Sequence, residues 1–104
     1  MRFSGAYNDA PVQIDEHRFE VEGACSLHLL LVTGAFEHVL VYVRDPAGRI
    51  RALLSYKTRI HRYVIAAEPG DCTNGAVPGA LPDGAWTLEI VRTYPVPGGY
   101  EIKI

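Results

Sequence analysis

A long loop dense in glycine and proline that runs straight into an alternating strand constrains this chain more than any other stretch. From Pro69 to Ile90 it reads PGDCTNGAVPGALPDGAWTLEI. Trp86, Leu88 and Ile90 fall on one face and Thr87 and Glu89 on the other, the period-2 pattern of a half-buried strand. Asp83-Gly84 before it is a turn dipeptide, since glycine accepts positive φ and aspartate bonds its own backbone. The loop therefore delivers the only tryptophan into a core at a fixed register. Pro69, Pro78 and Pro82 lower the entropy lost on ordering it, and Val77 and Leu81 are placed to staple it to the body of the fold. An ordered loop of this length is also where a sandwich presents binding residues.

The rest of the chain alternates in the same way. His17 to Glu22 sets Phe19 and Val21 inward. Ser26 to Thr33 is apolar on both faces, which predicts a central strand covered on both sides. His38 to Arg44 lines up Val39, Val41 and Val43. Asp45-Pro46-Ala47-Gly48 fits a type I turn, returning into a strand from Arg49 to Tyr56. Thr58 to Ala67 is a further strand, and Ala85 to Tyr94 is expected to form a hairpin with Tyr100 to Ile104. The turn at residues 34–37 is likewise expected to make a hairpin of its flanking strands. No helical period appears. The expectation is an all-β antiparallel sandwich, a jelly roll or related Greek key, of seven to eight strands. Residues 1–15 read as an N-terminal arm, within which residues 12–14 can add an edge strand. Residues 16–104 read as a single β-sandwich domain.

At 104 residues the chain is long enough for one real core. A net charge of -2, with Lys57 and Lys103 the only lysines, gives no basic footprint, so no nucleic-acid partner is expected. The longest apolar run, Val39 to Val43, is far below the roughly 20 residues that cross a bilayer. No signal-peptide core opens the chain, so a cytoplasmic location and no membrane association are expected. Cys25 and Cys72 have no metal spacing, and in that compartment they are expected to be reduced.

The chemistry-bearing residues do not converge in sequence. With the expected hairpin, His28 and His38 would stand roughly 17 Å apart at ~3.3 Å per residue. His17 and His61 belong to no H-x-H or H-E-x-x-H motif. No serine sits in a nucleophile elbow. Cys72 lies beside Asp71, the wrong neighbour for a thiolate nucleophile. No catalytic residue, metal ligand or cofactor is assigned. Two surfaces remain as candidates: the loop tip Asp71, Cys72, Thr73 and Asn74, as a contact surface, and Tyr56, Arg59, His61 and Tyr63, as a ligand face.

The order of segments from His17 to Ile104 carries a resemblance. It comprises HRFEV at 17–21, DPAGRIR at 45–51, EPG at 68–70, VPGALPDGAWT at 77–87 and GYEI at 99–102. Together they resemble the N-terminal β-sandwich domain of CehA/McbA-type metallohydrolases, in the PHP phosphoesterase superfamily. In that family the sandwich precedes a metal-binding catalytic domain, whose H-x-H ligand motif has no counterpart here. At residues 71–75 this loop also departs from the family, which is usually aromatic there. The resemblance implies a non-catalytic accessory domain that packs on, orients or oligomerises a PHP-type phosphoesterase. Its partner would be such a catalytic domain or another copy of itself. The alternative is an independent binding module for a carbohydrate or other small ligand.

Overall fold

The computed structural model describes residues 1–34, 39–55, 62–95 and 97–104. Among these residues eight strands follow one another: β1 (Arg2–Ala6), β2 (Gln13–Val21), β3 (Ser26–Gly34), β4 (Val39–Arg44), β5 (Ile50–Ser55), β6 (Arg62–Ala66), β7 (Gly84–Arg92) and β8 (Gly99–Lys103). One four-stranded sheet has the order β1-β8-β3-β6 and the other β2-β7-β4-β5. All the pairings are antiparallel, and they include the nested set β1 with β8, β2 with β7, β3 with β6 and β4 with β5. A long hairpin rolled into two facing sheets has this nesting, so the fold is an eight-stranded jelly roll.

Alternation explains the core. Phe19, Val21, Leu27, Leu29, Val39, Val41, Val43, Trp86, Leu88 and Ile90 all turn between the sheets and are buried, with Tyr100 and Ile102 from β8. Trp86 is fully enclosed, its ring 6.4 Å from that of Phe19.

Several expectations change. The segment read as an arm supplies β1, whose ladder with β8 runs from Arg2–Lys103 to Ala6–Gly99. Residues 13–14 open β2 instead of forming a separate edge strand. β3 is central, but its outer face is open, with His28 exposed and Leu30 half-buried. Neither expected flanking hairpin forms: β3 and β4 belong to different sheets, as do β7 and β8. Glycine and proline serve a corner that crosses between sheets as well as a turn within one, so local composition does not separate the two. The β4–β5 hairpin does form, closed by the Gly48 N–H donating to the Asp45 carbonyl at 2.9 Å. No helix among the described residues is long and apolar enough to cross a membrane.

Candidate functional site

The connection from β6 to β7 is a strap across one flank of the sandwich. After a short 3-10 turn at Pro69–Asp71 it meets the outer edge of β6. The Thr73 N–H donates to the Val64 carbonyl (3.0 Å), and the Val64 N–H donates to the Thr73 hydroxyl (2.9 Å). The Cys72 sulfur accepts from the Ala66 N–H and its thiol donates back to the Ala66 carbonyl. Ala76 then bridges to Ala52 of β5, and the Val77 N–H donates to the Arg51 carbonyl at 2.7 Å. The edges of both sheets on this flank are thereby partnered. Leu81 anchors the strap in the core, whereas Val77 stays 49% exposed and does not staple it.

Arg51 holds the strap from beneath. The β4–β5 register slips by one residue between Val43 and Arg44, leaving Arg51 without an opposite number and turning both Arg51 and Ala52 inward. Its guanidinium donates to the carbonyls of Val77 (3.2 Å), Gly79 (3.0 Å) and Ala80 (2.8 Å). It also lies 5.5 Å from the centre of the Trp86 ring. The indole N–H of Trp86 donates to the Pro82 carbonyl at 2.9 Å.

Asp45 completes the frame. Its Oδ1 accepts the N–H groups of Ala47 and Arg49, and its Oδ2 pairs with Arg49 at 2.9 Å and Arg51 at 3.8 Å. Burial pushes this carboxyl up, but the hydrogen bonds and charge of Arg49, with the Ala47 N–H, outweigh it and hold it below its ordinary value. Gly84 sits at φ +126° against Pro46, where a side chain would be both strained and crowded. The DPAGRIR and VPGALPDGAWT segments are thus one interlocked unit in space.

With the strap fixed this way, the four loop-tip residues divide. Cys72 and Thr73 are half-buried and bonded to β6, while Asp71 and Asn74 face outward. Asp71 borders a depression of about 480 Å³ on the outer face of β3 and β6, with Cys25, Ser26, His28, Val64 and Glu68. Of the candidate ligand face, Tyr63 is 1% exposed and belongs to the core, so it cannot present its ring to a ligand. Tyr56, Arg59 and His61 lie outside the described residues, as does His38. Cys25 and Cys72 are both free thiols.

A second polar cluster, at the β1–β2 end, was not legible from spacing. The Tyr100 hydroxyl donates to Asp15 Oδ2 at 2.7 Å and lies 2.7 Å from His17 Nε2. Gly5 makes room, since a Cβ there would stand 2.6 Å from that hydroxyl. Burial raises the Tyr100 phenol, and the hydrogen bond and charge of Asp15 raise it further, so it is a fixed donor tying β8 to β2 across the sheets. Burial likewise pushes Tyr7 up to about 12, with Asp15 adding to the rise and Arg92 opposing it. Arg92, fully buried, donates to the Ala10 carbonyl (2.6 Å) and Asn8 Oδ1 (3.3 Å) and lies 5.9 Å from the Tyr7 ring centre. These contacts pin the β1–β2 corner. Among the described residues, no group of three or more His, Cys, Asp or Glu side chains is arranged to hold a metal.

Fold and frame define the class, an eight-stranded jelly-roll domain with a tethered strap over one flank. No protein-family model, curated protein or solved structure matches the chain.

Proposed function

We propose that this domain is a non-catalytic accessory module that docks on a PHP-type metal-dependent phosphoesterase and orients it through the strap. The observation that carries the reading is the anchoring of the strap. Arg51, Leu81, Cys72 and Thr73 fix it from within, and Asp71 and Asn74 face outward, Asp71 at the rim of a concave surface. A contact surface held in place before binding loses little entropy on association. The class of partner comes from the resemblance of residues 17–104. The alternative, a module for a carbohydrate or other small ligand, has less to stand on because Tyr63 is in the core.

Calorimetric titration of the domain against the PHP-type catalytic domains of its own organism tests this. Saturable binding is expected, weakened at least about tenfold in Asp71→Ala/Asn74→Ala with an unchanged melting temperature. No association with any of them would overturn the proposal, and saturable binding of a glycan instead would establish the alternative.

A further inference from the structure

The two flanks of the sandwich are treated differently. The strap partners the β5 and β6 edges, while β1 and β2 are the outermost strands of the opposite flank, with no further strand beside them among the described residues. β2 is the longer of these two, and it pairs with β7 in unbroken register from Gln13–Arg92 to Val21–Gly84. It contains no proline, no lysine and no bulge, and of the devices that usually blunt an edge it has only charged side chains. Such an edge presents a row of N–H and C=O groups to any strand that can lie antiparallel to it.

The charges of β2 specify which strand that is. Its outward side chains run Ile14, Glu16, Arg18, Glu20, and Glu16 and Arg18 are both exposed, touching only at 3.4 Å along their own strand. Two copies joined antiparallel about an axis at His17 would place each Glu16 opposite Arg18 of the other copy. That register also overlaps the whole of β2, from Gln13 opposite Val21 inward. Moving the axis to Glu16 sets that carboxylate against itself. Moving it to Arg18 sets arginine against arginine and Glu16 against Glu20. Opposite charges directly across a ladder are favourable and like charges are not. A shift of register by a single residue would turn outward side chains toward the core of the second copy.

We infer that β2 is a self-pairing edge: two copies of this chain join through it, centred on His17, and extend β2-β7-β4-β5 into one eight-stranded sheet. The inference concerns the flank opposite the strap and stands whether or not the domain serves a phosphoesterase.

Sedimentation equilibrium of the full chain is expected to give twice the chain mass in the micromolar range. Arg18→Glu and Glu16→Arg should each weaken dimerisation at least about tenfold, and Glu16→Arg/Arg18→Glu should restore it, with circular dichroism confirming the fold of each. In the wild type, amide exchange should show protection that rises with concentration within residues 13–21. A wild-type chain that stays monomeric at high micromolar concentration would overturn the inference. So would a dimer indifferent to both single reversals, a double variant that fails to re-dimerise, or exchange in β2 that ignores concentration.

Discussion

Arg51 decides whether the strap has a fixed position. It is 4% exposed, and its guanidinium donates to three carbonyls of the strap at once. Arg51→Met keeps much of the volume over Trp86 but leaves those carbonyls unmet. It should lower the stability by about 3–5 kcal/mol, read from urea unfolding followed by Trp86 fluorescence. Arg51→Lys should recover only part of that, because a point charge cannot span three acceptors. A methionine variant as stable as the wild type would mean that water serves the carbonyls equally well. Asp45 sets the pH dependence of the same frame. Its folded carboxyl is held below its ordinary value, so its contribution is present above the unfolded value near 3.8 and is lost as pH falls through the folded one. Asp45→Asn should therefore destabilise the domain at neutral pH, by a margin that shrinks in acid. A margin constant down to strongly acidic pH would contradict this.

At the scale of elements, β7 was the most legible and also the most instructive. The alternation Trp86, Leu88, Ile90 was plain, and the same phase continues to Arg92, which is fully buried. The strand expected from Ala85 to Tyr94 included Arg92, but a charged side chain is rarely buried, so nothing in the pattern marked it as part of the core. The strap shows the opposite balance. Its length and its glycines and prolines announced an ordered loop, but which side chains it turns inward depends on β6. Cys72 and Thr73 are spent on the Val64 and Ala66 backbone, a relation between segments that no local pattern records. Anchored at both β5 and β6, the strap should resist limited proteolysis between Pro69 and Gly79 in the folded wild type. Thr73→Ala removes one clip and Arg51→Met another, so the combined variant should be cut there at least about tenfold faster while the sheets stay intact. Rapid cutting of the wild type would show that the strap is not held in place.

At the scale of the whole molecule, β2 to β8 and the β4–β5 hairpin followed from period-2 alternation and turn chemistry, while β1 and the rest of the pairing did not. Local turn signals join neighbours in sequence, whereas a jelly roll pairs its first strand with its last. β1 was the element most hidden by this. Arg2–Ala6 has only Phe3 as a large apolar residue, and it reads as a strand only once β8 is beside it. In the fold Phe3 packs 5.0 Å from the His17 ring and 6.2 Å from that of Phe19, and Met1 and Ile104 exchange backbone hydrogen bonds at 3.0 and 2.9 Å. Gly5 gives Tyr100 the space to reach Asp15 and His17. Deleting residues 1–6 would thus remove an edge strand, a core-packing ring and one wall around the Tyr100 hydroxyl. The expected loss is about 3 kcal/mol or more, which lowers the melting temperature by roughly 10 °C or more in a domain of this size. Amide exchange should speed up in β8 first, since its ladder with β3 is then its only one. The tyrosine titration followed at 295 nm should shift as well. Tyr7, raised to about 12 in the intact chain, ionises at lower pH once its packing is opened. A raised phenol stabilises the fold below its unfolded value of 10.0 and withdraws that support as pH climbs toward the folded one, so the truncated domain should lose part of its dependence on alkaline pH. If residues 1–6 were only an arm, the truncated chain would melt and titrate like the intact one.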